Sequence, residues 1–177
     1  MPSGTLYILL EGNDDERFFR RLLVPRLLRF YRSVKIWKYA REKRRRTIKF
    51  IRVLQRTGKD ILYVRDLDSA PSVKIKKEEI QACYEHAIPD PSIIVVVMEI
   101  ESWYLAGPPA PLLKSFGIIL PDGSTDTLTK EEFYLLIPPR MARTQFMNEL
   151  LAHYDFEWAM RRNASFEYFM THWLRKH

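Results

Sequence analysis

The chain has a single cysteine, Cys83, so no disulfide can close within it. A small residue on a helix face describes Cys83 better than a nucleophile does. No apolar run approaches the roughly 18 residues that a membrane helix needs, and the N-terminal stretch lacks a secretory signal pattern. The four histidines stand at 86, 153, 172 and 177, without the spacing of a histidine metal site. A Walker loop is missing, and so are a serine nucleophile elbow and a cysteine–histidine pairing. There is no internal repeat and no low-complexity linker. Asn and Gln are sparse beside plentiful Arg, a composition met in thermophiles that carries nothing about function. What these absences leave is a cytoplasmic protein of one domain, with or without a modest C-terminal extension.

What is present is an ordinary apolar fraction, enough for a sizeable core, and an uneven charge. The net charge of +7 hides two halves of opposite sign. Residues 1–77 carry 21 Lys and Arg against 8 Asp and Glu, whereas residues 78–177 carry 8 against 14. A basic half calls for a polyanion, and nucleic acid, DNA or RNA, is the usual one. A merely solvated surface is the plainer explanation of the same charge.

Leu6 to Leu10 is an uninterrupted apolar run between Gly4 and Gly12, the pattern of a buried parallel strand. Asn13 with Glu16 forms an expected helix N-cap pair, and a helical apolar stripe follows from Phe18 to Leu28. Pro25 is expected to interrupt or kink that helix. Val34 to Trp37 reads as a second strand. Arg41 to Gln55 reads as a helix with an apolar stripe of Ile48, Ile51 and Leu54, closed by Thr57-Gly58. Its other face carries Arg41, Lys43, Arg44, Arg45, Arg46, Lys49 and Arg52, the candidate nucleic-acid surface. Ile61 to Val64 is a third strand running into Arg65-Asp66-Leu67-Asp68. Ser69 to Val73 reads as loop and Lys76 to His86 as helix. Ile93 to Met98 is a fourth strand ending at Glu99-Ile100-Glu101, before a short helix stopped by Gly107-Pro108-Pro109. The remainder is mostly helical, with Trp158, Phe166, Phe169 and Trp173 expected in its core. Strands alternating with helices predict an α/β fold: a central parallel sheet of about four strands flanked by helices over residues 1–107, and a helical C-terminal extension over 108–177.

A parallel sheet delivers every strand's C-terminal end to one edge, where ligands bind. Glu11, Asp66 with Asp68, and Glu99 with Glu101 all follow apolar runs, so they are expected to meet there. Strand alternation places Asp66 and Asp68 on one side, and likewise Glu99 and Glu101. Crowded carboxylates repel unless a cation neutralises them, and hard oxygen ligands suit Mg²⁺ or Mn²⁺. Two such ions about 4 Å apart serve phosphodiester cleavage. Each acid also has a plainer explanation. Asp14 caps a helix, an Asp-x-Asp pair arises by chance or in phosphatase sites, and Glu99 or Glu101 alone could be an ion-pair partner.

Glu11-Gly12-Asn13-Asp14-Asp15 after a strand, with Asp66-Leu67-Asp68 after a later one, resembles the Toprim domain of topoisomerases, bacterial primases, recombination proteins and OLD (overcoming lysogenization defect) nucleases. Met98-Glu99-Ile100-Glu101-Ser102-Trp103-Tyr104-Leu105 resembles the segment that follows the core in OLD-like families. The likeness covers about residues 5–105. It implies a Toprim-like, Rossmann-like sheet and a Mg/Mn-dependent nuclease. Glu11 would serve as general acid/base or metal ligand, and Asp66 and Asp68 would hold metal with Asp15 assisting. Glu99 or Glu101 would complete a second position. OLD-like enzymes also use a later lysine, for which Lys114 is available. No ATPase is attached, so a motor would be a separate subunit, and no catalytic tyrosine stands in a topoisomerase context. The rivals are a non-catalytic nucleic-acid-binding or partner module and an Asp-x-Asp phosphatase. The last fits poorly, because Ala70 stands where that family places threonine.

Overall fold

A computed structural model describes residues 4–120 and 123–174. Its contacts divide the chain after Val95 into two units.

The first unit is an α/β layer around a four-stranded, all-parallel sheet. The strands are β1 (Thr5–Leu10), β2 (Ser33–Lys38), β3 (Asp60–Asp66) and β4 (Ile93–Val96), in the spatial order β2-β1-β3-β4. β1 pairs with β2 in the register Tyr7↔Lys35 and Leu9↔Trp37, and with β3 in the register Leu6↔Asp60 and Leu9↔Tyr63. The chain leaves β1 towards one side to make β2 and returns past β1 to make β3. The strand order therefore reverses between β1 and β3, and a crevice opens at their C-terminal ends.

Helix α1 (Asn13–Phe18) follows β1 and runs on through a π-helical turn (Phe19–Leu23) into α2 (Val24–Leu27). Pro25 produces no break. It lies in the first turn of α2, and the π turn sits immediately before it, where Val24 N–H reaches back to Phe19 O. A proline ring would crowd the carbonyl four residues earlier, and the wider turn gives it room. The stripe Phe18, Phe19, Leu23 and Leu27 is fully buried. The expected cap pair is shifted by one residue. Gly12 is the N-cap, Asp15 carries the bond to its N–H, and Asn13 instead accepts from Lys38 Nζ.

Helix α3 (Arg44–Arg56) joins β2 to β3, and α4 (Val73–Cys83) joins β3 to β4. Ile48, Ile51 and Leu54 of α3, with Ile80 and Tyr84 at the end of α4, pack with Leu9, Ile61 and Tyr63 of the sheet. The basic helix starts three residues later than expected, so Arg41 and Lys43 precede it. Its end is as expected, with Thr57 as C-cap and Gly58 in the left-handed region (φ 63°). α4 starts at Val73 rather than Lys76 because Ser72 Oγ accepts the Ile75 N–H, at 3.2 Å. It stops at Cys83, which is exposed, because Glu85 and His86 both turn left-handed.

The second unit is helical: α5 (Ile100–Ala106), α6 (Ala110–Ser115), α7 (Lys130–Leu135), α8 (Arg143–Ala152), α9 (Phe156–Arg162) and α10 (Ala164–Tyr168). Trp103, Tyr104, Phe133, Phe146, Phe166 and Phe169 form its solvent-free interior, and Trp173 is buried as expected. Trp158 is not. It is 43% exposed, with the Arg162 guanidinium 4.7 Å from its ring centre. A buried polar knot pins α10, with Asn163 Nδ2 donating to Ser102 Oγ and Thr125 Oγ1 while its Oδ1 accepts from Phe166 N–H. No helix among the described residues is long and apolar enough to cross a membrane.

Candidate functional site

Glu11 stands just past β1 and Asp66 closes β3, so both lie at the crevice where the strand order reverses. Between them β3 delivers a residue of opposite sign. Arg65 Nε is 3.6 Å from Glu11 Oε2 and 3.6 Å from Asp68 Oδ2. A second cation, Lys76 of α4, reaches Asp68 Oδ2 at 2.6 Å from an otherwise buried position. Asp66 and Asp68 do not share a strand face. β3 ends at Asp66, and Asp68 lies in the following turn with left-handed backbone (φ 51°), so alternation does not reach it. The turn and the two cations bring Asp68 towards Glu11.

Behind Arg65 lie three tyrosines. Tyr39 and Tyr63 stack with ring centres 4.7 Å apart, and Tyr39 Oη donates to Val64 O while Tyr63 Oη donates to Tyr84 Oη. Burial carries the Tyr39 and Tyr63 phenols far above their ordinary range, so both stay neutral. Burial by itself would lower the Arg65 guanidinium. The tyrosines together with Glu11 and Asp68 outweigh that, and Arg65 stays charged.

Asp15 is buried in the first turn of α1, where its carboxylate accepts the Gly12 N–H at 3.0 Å. Burial is the largest influence on it and pushes its pKa up to about 6, against the opposing pull of that hydrogen bond. Glu11 and Asp14 add to the rise. Asp15 therefore holds the turn after β1, near enough to Glu11 for the two charges to feel each other. Asp14 pairs with Arg17 at 2.6 Å within the same helix.

Among the described residues, no group of three or more His, Cys, Asp or Glu side chains gathers closely enough to hold a metal ion. In the first unit, Glu11, Asp15, Asp66 and Asp68 thus form no ready ligand shell. Glu11 and Asp68 nevertheless converge on one positive charge. Mg²⁺ commonly takes one or two carboxylates and completes its octahedron with water and substrate phosphate. Two carboxylates around one positive charge match that number of protein ligands and fall short of what a two-ion cluster needs.

Glu99 and Glu101 are not strand residues. β4 ends at Val96, Met98 turns left-handed, Glu99 is the N-cap of α5 and Glu101 lies in its first turn. Within the second unit they bracket the start of α7. Glu99 Oε2 accepts the Lys130 N–H at 2.8 Å, and the Lys130 ammonium is 3.8 Å from Glu101 Oε1. Glu101 is 1% exposed. Lys114, the expected lysine, is an exposed residue of α6.

The basic surface is built as the sequence suggests. Thr47, Ile48, Ile51 and Leu54 of α3 are buried, while Arg41, Lys43, Arg44, Arg45, Arg46, Lys49 and Arg52 are exposed. Arg46 pairs with Glu42 and Arg52 with Glu85. Among the described residues, no carboxylate pairs with Arg41, Lys43, Arg44, Arg45 or Lys49. Because α3 follows β2, its first turn rises from the same sheet edge as Glu11 and Asp66.

Sequence reasoning missed Arg65, Lys76 and Lys130. Arg65 left a signal, a cation one residue before a strand-terminal aspartate in an otherwise apolar run. Lys76 and Lys130 left none, since each is one of several charges on its helix. Comparison of the chain with family models, curated proteins and solved structures finds no match.

Proposed function

We propose that this chain cleaves phosphodiester bonds of nucleic acid with the help of Mg²⁺ or Mn²⁺. The supporting observation is the convergence of Glu11 and Asp68 on one cation in the crevice between β1 and β3. The unpaired cations at the start of α3 rise from the same edge. In this reading Glu11 and Asp68, with Asp66 beside them, hold the ion, which supplies positive charge to the phosphate oxygens when bound. Arg41, Lys43, Arg44 and Arg45 hold the polynucleotide backbone by charge. Glu11, half-exposed at the crevice, would take the proton of the attacking water on the carboxylate oxygen that the ion leaves free, and that proton passes on to the oxygen that leaves phosphorus. Arg65 keeps Glu11 and Asp68 from repelling each other when no ion is bound.

The test is hydrolysis of labelled single- and double-stranded DNA and RNA with Mg²⁺ or Mn²⁺, in wild type, Glu11→Gln and Asp68→Asn. Cleavage is expected in wild type and a loss of about 100-fold or more in each variant, with thermal stability checked alongside. A second reading has its own support, since Arg65 and Lys76 already neutralise the carboxylates, as in a module that binds nucleic acid without cutting it. Binding without hydrolysis in wild type decides for that reading, whereas hydrolysis unchanged in Asp68→Asn removes Asp68 from the cleavage site.

A further inference from the structure

Under most of α3 the sheet is covered by fully buried side chains, such as Leu9, Ile51 and Tyr63. At the β2 end the same layer is finished by three rings that are only half-buried: Tyr7, Trp37 and Phe50. The register pairs Tyr7 with Lys35 and Leu9 with Trp37, so these side chains share one face, onto which Phe50 descends from α3. Trp37 and Phe50 lie 4.4 Å apart, and Tyr7 meets Phe50 edge-on at 5.6 Å. Among the described residues β2 is the terminal strand, so no further strand lies beside Trp37.

Rings left partly buried at the rim of a core are common, and alone they carry nothing. The charges beside them are what narrow the choice. Arg46 stands one helical turn before Phe50 and Val53, 53% exposed, almost one turn after it. Lys49 adjoins Phe50 and has no carboxylate partner among the described residues, and the Lys35 ammonium lies 5.6 Å from the Tyr7 ring centre. An acidic peptide satisfies the charges but leaves the rings idle. A duplex offers phosphates but keeps its base faces stacked inside. A single strand offers both at once, phosphates for the cations and open base faces for the rings.

We infer that Tyr7, Trp37 and Phe50 form a stacking platform for unpaired bases, which makes single-stranded nucleic acid the substrate class. This rests on the nucleic-acid reading above. Wild-type protein is titrated by fluorescence anisotropy with a labelled oligothymidylate of about twelve nucleotides, and with an abasic sugar-phosphate strand and a duplex of equal length. Polyglutamate serves as competitor. The oligothymidylate is expected to bind about tenfold or more tightly than the abasic strand, and Trp37→Leu with Phe50→Leu to erase that preference while keeping the salt dependence. Trp37→Phe, which keeps a ring, should retain most of it. Equal binding of the oligothymidylate and the abasic strand overturns the platform and leaves the nucleic-acid reading standing. No binding of any strand, or competition by polyglutamate at equal charge, overturns both.

Discussion

Two helices start at the same sheet edge and are built on opposite rules. α1 opens with Asp14, Asp15 and Glu16, negative side chains at the positive end of the helix, and Asp15 ties down the Gly12 N–H. α3 opens with Arg44, Arg45 and Arg46, has no acid in its first turn and no side-chain cap. Stability alone favours the first arrangement and penalises the second. The four cations from Lys43 to Arg46, where the backbone already presents positive charge, are a local cost that helix stability does not explain. On the proposed reading, the contrast separates a turn that serves the chain from a turn that would serve a polyanion.

The largest expected effect breaks the contrast by making α3 resemble α1. Arg44→Glu with Arg45→Glu should lower nucleic-acid affinity by about 100-fold or more at low salt and flatten its salt dependence. The same change should stabilise the fold by about 0.3–1 kcal/mol per residue and so raise the melting temperature, because the helix dipole now meets the charge it prefers. Binding measured against salt, with thermal unfolding of the same samples, checks both. A loss of both binding and stability counts against the comparison.

Asp15 sharpens it from the other side. Its folded pKa, about 6, lies above that of an unfolded aspartate, so the folded state holds the proton more tightly. Stability should therefore fall as pH rises from about 4 to 6 and level off above. Asp15→Asn keeps an acceptor for the Gly12 N–H and removes the buried charge. It should be more stable than wild type above pH 6, by on the order of 2 kcal/mol, and should match it near pH 4. Chemical denaturation across that range is the measurement, and a constant difference at all pH values rules the account out.

Two smaller effects follow. Arg65→Gln leaves Glu11 and Asp68 facing each other without their shared cation and should cost about 1 kcal/mol. Millimolar Mg²⁺ should restore most of that loss, and should fail to do so when Glu11→Gln is added. Lys49→Ala should weaken nucleic-acid binding only a few-fold, lowering the salt slope by about one, with stability changed by less than about 0.5 kcal/mol.

The sheet was legible because buried parallel strands are written as short apolar runs, and Leu6 to Leu10, Ile61 to Val64 and Ile93 to Met98 are such runs, the last ending two residues early at Val96. The basic face of α3 was legible because Ile48, Ile51 and Leu54 fix the helix phase. The acids were legible as a set of positions but not as an arrangement. Left-handed residues at Asp68 and Met98 end the alternation that a strand pattern extends; aspartate tolerates that backbone better than most residues, but methionine does not announce it. Arg65, Lys76 and Lys130 were missed because the partner of a charge is set by folding rather than by spacing along the chain.

The open side of β2 also sets how the sheet breathes. β1 has a hydrogen-bonded neighbour on each side, whereas β2 has one. Outward-facing amides of β2 should trade hydrogen for deuterium within seconds to minutes, while those of β1 wait for the whole sheet to open.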